Sequence, residues 1–419
     1  MAANDTYTAI ETVFRLERAR LIGGLARFVR DIDLAEELAQ DALLAALSDW
    51  PNHGVPKKPG AWLMATAKRR AIDGFRRNEM LARKHPEIAR DMEDTQEDAV
   101  ETIDAAMDDD LGDELLGLIF AACHPLLSPE ARTALTLRLI GGLTTEEIAR
   151  AFLTSPTTIA QRIVRAKKTL CAANLAYAVP RGTERGERLS SVLEVLYLIF
   201  NEGYAATSGP DAIRPALCNE AQRLGRILAG LMPDEPEVHG LLSLMELQAS
   251  RLLARTAADG SIVPLDQQKR ACWDRLLISH GLAALSRAES LGGGDKPYAL
   301  QAALAACHAR ARNIEETDWR EIAGLYDRLR DVTPSPVIDL NRAVAHGLAF
   351  GPETGLALLE PLFQSVHLAN FALLPASKGD LLFRSGRFPE AKAAFEDAAR
   401  LSTNDAERAF LLTRASSCG

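Results

Sequence analysis

Thr157, Thr158, Gln161, Arg162, Arg165 and Lys168 recur at steps of one, three and four along a single short stretch. None of them suggests covalent chemistry. Hydroxyl and amide groups match the donors and acceptors on base edges, and guanidinium and ammonium groups match phosphate oxygens. In the same stretch Ile159, Ile163, Ala166 and Leu170 also recur at steps of three and four, but on another side. An apolar seam opposite a polar, cationic face is what a groove-reading helix requires. Arg165, Lys167 and Lys168 lie beyond the N-terminal end and would bind phosphates. A second set, Lys68, Arg69, Arg76 and Arg77, has Trp62 and Phe75 among it. Cations that follow phosphates, with rings that stack bases for about 1–3 kcal/mol each, suit a single strand. For the two rings alone, core packing is the preferred reading.

Catalytic chemistry finds no support. No H-E-x-x-H, phosphate-binding loop or nucleophile elbow occurs. Asn201, Glu202 and Tyr204 read as turn chemistry at a helix end, and His308 as a satisfied core histidine on an alanine-rich helix. No catalytic residue, cofactor or metal site is expected. The six cysteines are scattered with no C-x-x-C spacing, so they read as reduced, small apolar side chains.

The elements that hold these residues are marked by capping signals. Ser128-Pro129 opens one helix and Gly141-Gly142 stops it. Thr144 and Glu147 form a capping box, and Ile148, Ala149 and Phe152 point inward. Leu153-Thr154 makes a turn, and Ser155-Pro156 opens the reader helix. Upstream, Asp31 or Asp33 caps a helix whose Leu34, Leu38, Ala42 and Ala45 keep helical spacing. That helix ends near Trp50-Pro51, and a proline- and glycine-rich loop follows it.

The chain has 419 residues, 47% hydrophobic and 25% charged, with few aromatics, which predicts an all-α protein of several domains. Neither a signal peptide nor a membrane span is expected, so the chain is placed in the cytoplasm without a membrane partner. The net charge of −9 is segregated. Residues 57–90 are basic, 91–114 carry twelve acids and no base, and 132–168 are basic again. Two nucleic-acid-facing modules joined by an acidic spacer account for that order.

The two modules together resemble a sigma factor of the extracytoplasmic-function (ECF) type. DLAEELAQDALLAAL resembles the domain-two helix that grips the polymerase. PGAWLMATAKRRAIDGFRR resembles the helix that melts and reads the −10 element, and LTTEEIARAFLTSPTTIAQRIVRAKKTL the −35 reader. The resemblance implies that Leu38, Gln40 and Asp41 face core RNA polymerase. It puts Asn52 and His53 in a loop that captures a flipped −10 base, with Trp62, Lys68, Arg69, Arg76 and Arg77 beside the opened strand. Thr157, Thr158, Gln161, Arg162, Arg165 and Lys168 become the −35 contacts. The implied partners are promoter DNA and core polymerase, through its beta′ clamp helices and beta flap. Leu153 stands where relatives carry glycine. The acidic connector is then also a candidate mimic of nucleic acid.

The expected domains are 1–90, an acidic linker over 91–117, a helix-turn-helix over 118–178, and a helical regulatory domain over 187–419. In the last, Gly379, Leu382, Gly386, Ala391, Phe395 and Ala398 have tetratricopeptide (TPR) spacing, so the extension is expected to be TPR-like. Residues 340–362 form a weaker copy, and Asp259-Gly260 suggests a hairpin or tight loop. A protein or small molecule is a candidate partner for this domain. The rival reading is a one-component helix-turn-helix regulator with a sensing domain, acting without polymerase.

Overall fold

The computed structural model describes residues 2–82, 111–152, 154–175, 177–204, 213–255, 263, 265–402 and 405–418. Among these residues every regular element is helical. Most of the acidic connector, Leu153 and Asp259-Gly260 lie outside the described residues. The chain divides into two compact units, Met1–Glu202 and Gly203–Gly419.

The first unit opens with α1 (Ala2–Val29), α2 (Ile32–His53) and α3 (Pro59–Ala82), which pack on one another. Asp31 caps α2 by accepting from the backbone N–H of Asp33 and Leu34. The buried face of α2 is Ala35, Leu38, Ala39, Ala42, Ala46 and Trp50. Leu34 and Ala45 are only half-buried, so the seam is rotated from the expected one. Pro51 lies inside α2, which ends at Gly54, whose φ of 82° favours glycine. Asn52 and His53 therefore occupy the last turn of the helix, a correction to their expected place in the loop.

The unit continues with α4 (Leu111–Ala122), α5 (Pro129–Leu139), α6 (Thr145–Ala151) and α7 (Pro156–Ala172). The capping signals act as expected. Ser128 and Ser155 accept from Ala131 and Thr158, and Thr144 and Glu147 form a reciprocal box. Helix α1 crosses α4 at backbone contact: a Cβ on Gly23 would lie 2.4 Å from the Glu114 carbonyl oxygen. Helix α8 (Thr183–Tyr204) buries Val192, Val195 and Ile199 completely.

The second unit contains α9 (Pro215–Leu231), α10 (Pro236–Ala249), α11 (Arg275–Ser290), α12 (Pro297–Arg310), α13 (Trp319–Val332), α14 (Pro336–Phe350), α15 (Pro352–Leu359), α16 (Leu373–Arg384), α17 (Phe388–Leu401) and α18 (Asp405–Ser416). Most consecutive helices pack on each other. In the stretch with TPR spacing, Leu382, Ala391, Phe395 and Ala398 share one buried cluster. A Cβ on Gly379 would come within 2.9 Å of the Phe395 ring, so the small residue admits the ring.

Candidate nucleic-acid interface

The seam of α7 is formed as its spacing predicts. Ile159, Ile163, Ala166 and Leu170 are all no more than 6% exposed. On the other side Thr157, Gln161, Arg165 and Lys168 are exposed, and Thr158 and Arg162 are half-exposed. The Thr158 hydroxyl lies 2.8 Å from that of Ser155, so it also serves the cap. These six side chains form one solvated face at the start and middle of the helix. Amide and hydroxyl groups lie near its N-terminus and cations follow, so the face can meet base edges and phosphates in that order.

Lys167 is placed differently from the phosphate contact expected of it. Its Nζ lies 2.7 Å from Asp33 Oδ1 and 2.5 Å from Glu36 Oε2, both on α2. Burial alone would lower its pKa, but the bonds to Asp33 and Glu36 leave it raised. Glu36 also accepts from Arg18 at 2.8 Å, and Arg18 donates to the carbonyls of Arg138 and Leu139 at 3.0 and 3.3 Å. Burial lowers the Arg18 pKa despite Glu36. Arg18, Asp33, Glu36 and Lys167 thus tie α1 and α2 to α5 and α7. Sequence reasoning missed this set because each member looks like an ordinary surface charge, and its partner is over a hundred residues away.

On α2, Leu38 is 6% exposed and belongs to the core, so its role is to hold the helix. Gln40 is exposed and Asp41 is half-exposed, paired with Arg70 at 2.9 Å. The outward stripe runs through Asp33, Glu37, Gln40 and Leu44, and Leu44 is 58% exposed. An apolar side chain so open on a polar stripe was legible at i+4 from Gln40 but not singled out.

Asn52 and His53 are exposed yet turned to their own helix. Asn52 donates to the Ser48 carbonyl at 3.2 Å, and His53 Nδ1 lies 3.0 Å from Asp49 Oδ1. Trp62 meets Trp50 edge-on at 5.3 Å and Phe75 lies 6.5 Å from Phe28, so both rings are partly committed to packing. Lys68 Nζ sits 6.0 Å from the Phe28 ring. Arg69 and Arg76 are exposed on α3, and Arg77 is on the same helix with its side chain outside the described residues. No group of three metal-capable side chains occurs among the described residues, and no helix there is long and apolar enough to cross a membrane.

The helix-turn-helix is braced from behind by α8. The guanidinium of Arg132, a residue 8% exposed, bonds Ser191 and pairs with Glu194 at 3.0 Å. Ser191 in turn donates to the Cys123 carbonyl at 2.5 Å, and Arg188 donates to the Phe120 carbonyl at 2.9 Å. Burial pushes the Cys123 thiol up to about 11, against the opposing bond from Thr136.

Three stretches of the chain match known families. Residues 13–80 match sigma-70 region 2, residues 118–170 match sigma-70 region 4, and residues 188–289 match a family of unknown function, DUF6596. An uncharacterized protein of Rhizobium meliloti (strain 1021) is 41% identical over 395 residues, covering 94% of this chain and 92% of that protein. The ECF RNA polymerase sigma factor SigK of Mycobacterium ulcerans (strain Agy99) is 29% identical over 145 residues, 34% of this chain and 74% of that protein. No solved structure matches. The matched sigma regions belong to non-enzymatic, DNA-binding initiation factors. Both sigma-70 regions thus fall on the helices that carry the candidate contacts, the chain is similar over about a third of its length to an ECF sigma factor, and a C-terminal helical extension follows.

Proposed function

We propose that this chain joins core RNA polymerase through the outward stripe of α2, including Gln40 and Leu44. It then reads the −35 element with α7 and opens the −10 element with α3. The observation that carries this reading is the division of α7 into a buried seam and a solvated face of Thr157, Thr158, Gln161, Arg162, Arg165 and Lys168. Strand opening needs no covalent step: Lys68, Arg69 and Arg76 favour the separated strand through its phosphates.

The ion pairs between α2 and α7 set a condition on this function. Elements centred at −35 and −10 are separated by about 25 base pairs, or about 85 Å of duplex at 3.4 Å per step. From Thr157 to Lys167 is about 15 Å of helix, and from Asp33 to His53 about 30 Å. With Lys167 bonded to Asp33, a path of those lengths falls short of the two elements. The first unit therefore opens before both readers are engaged, and polymerase supplies the competing surface for α2. The C-terminal extension sets how readily this happens, through α8 behind the helix-turn-helix. Its paired helices, with TPR spacing at residues 377–405, offer further surface for a partner protein.

The test is run-off transcription from genomic fragments with purified core polymerase and the full chain. Promoter-specific transcripts that depend on the added protein are expected. Failure to form a complex with core polymerase would overturn the reading and favour the regulator that acts on duplex DNA alone.

A further inference from the structure

Three arginines of the second unit, Arg251, Arg255 and Arg270, gather around helix ends with few counter-charges. Arg255 donates to the Tyr204 carbonyl at the end of α8, and its guanidinium carbon lies 3.8 Å from the centre of the Tyr204 ring. Arg251 follows α10, donates to Gln248 Oε1 at 2.7 Å, and lies 5.5 Å from the same ring centre. Arg270 donates to the His308 and Ala311 carbonyls at the end of α12 and to the Thr317 hydroxyl at 3.1 Å. Its guanidinium lies 5.0 Å from the centre of the Trp273 ring. The Asp274 N–H donates to the Ser250 carbonyl at 2.8 Å, which brings the Arg251 and Trp273 backbones side by side.

Capping of helix ends explains only part of this gathering. Each helix C-terminus is worth about −0.5 of a charge, so three ends supply about −1.5 against three guanidinium ions. Among the described residues no carboxylate lies within ion-pair distance of Arg251, Arg255 or Arg270. Polar atoms beside them are also left over. Trp273, 4% exposed, and Gln268, 8% exposed, bury an indole Nε1 and an Oε1 that have no hydrogen-bond partner, and so does His308 at Nδ1. Gln268 belongs to the same cluster: its amide donates to the Val263 carbonyl at 2.9 Å, and the Val263 N–H donates to Arg255.

We infer that Arg251, Arg255 and Trp273 form the core of a binding site for a small oxyanion, a carboxylate or a phosphate, with Arg270 and His308 behind it. A forked guanidinium takes either group in two parallel bonds, and an indole N–H can only donate. The lowered pKa of His308 reflects burial and the positive surroundings of the cluster. A histidine in the last turn of a helix ordinarily gains a proton more readily. Burial, followed by Arg251 and Arg270, instead pushes His308 down to about 4. A bound anion would oppose both arginines and move that value up. This site lies outside the two sigma regions, so it stands independently of the promoter contacts proposed above.

The test uses the full chain labelled at its four tryptophans, titrated at neutral pH with inorganic phosphate and, separately, with acetate and citrate. Potassium chloride at matched ionic strength is the control. The indole signal of Trp273, assigned with W273F, is expected to move saturably with phosphate or with a carboxylate, and which arm responds identifies the group. Arg251→Gln should weaken that response by at least about tenfold, the loss of a charge-assisted bond. Arg251→Lys, which keeps the charge but loses the fork, should fall between. Arg330→Gln, at an exposed pair with Asp331, should change nothing. Circular dichroism checks that each variant is folded. Responses no larger than with chloride, or undiminished in folded Arg251→Gln, would overturn the assignment.

Discussion

At the scale of the residue, Lys167 shows what spacing reveals and what it conceals. Its position after Arg165 suggested a phosphate contact, and only the fold reveals Asp33 and Glu36 beside it. Lys167→Glu would set a third negative charge against those two. We expect a loss of about 1–3 kcal/mol from the contact between the sigma regions. The separation of probes at positions 40 and 161 should lengthen accordingly. High salt should act in the same direction on the native chain, because Asp33 is 67% exposed. The pH dependence follows from the raised pKa of Lys167. Its contribution is complete below the ordinary lysine value of 10.5 and is lost as pH rises through the higher folded value. The probe distance should therefore stay level across neutral pH. Glu147 has the opposite sign: its bond from the Thr144 N–H, then the Thr144 hydroxyl, lowers its pKa from 4.5. The capping box stabilises α6 above 4.5 and is lost as pH falls through the lower folded value. Thr144→Ala should cost about 1 kcal/mol at neutral pH and less in acid, read by thermal denaturation.

At the scale of the element, the helices that begin with a marked cap were legible and those set by distant packing were not. Ser128-Pro129, Thr144 with Glu147, and Ser155-Pro156 each satisfy orphan N–H groups locally, so four or five residues specify the start. The rotation of the α2 seam toward Ala35, Ala39 and Ala46 depends on α1 and α3, which spacing alone does not supply. The extension of α2 through Pro51 was missed because proline usually ends a helix, whereas here Gly54 does. The reader helix allows a sharper separation of roles. Gln161→Ala should relax base preference at one position of the −35 element, costing about 1–3 kcal/mol on the preferred sequence. Arg165→Ala should weaken binding evenly across sequences and reduce the salt slope by about one. On α2, Leu44→Glu should weaken capture of core polymerase while leaving duplex binding by α7 intact.

At the scale of the whole molecule, the order of basic, acidic and basic stretches announced two nucleic-acid-facing modules, but not how far the second is supported. The polar stretch at residues 180–188 looks like a place to cut. The structure shows that a chain ending at Arg181 would lose α8, leaving Arg132 without Ser191 and Glu194. Removing the partner of a buried cation costs about 3–5 kcal/mol. The shortened chain should melt well below one ending at Glu202. Its Cys123 thiol, held at about 11 by burial in the full chain, should react faster with an alkylating agent at neutral pH. A fall in transcription on cutting at 181 would thus mix lost support with lost regulation, and comparing the two end points separates them. The extension's cationic cluster was illegible because Arg251, Arg270 and His308 come from three separate stretches, and no motif joins them.

The bond from Lys167 to Glu36 spans 131 positions, and synthesis gives that number a meaning in time. At roughly 5–20 residues per second, about 7–26 s pass between the appearance of the acid and that of its lysine. During that interval every newborn copy presents α2 with Lys167 not yet made. A polymerase that arrives on the ribosome's schedule finds no clasp to undo, whereas one that meets a finished copy must first release it.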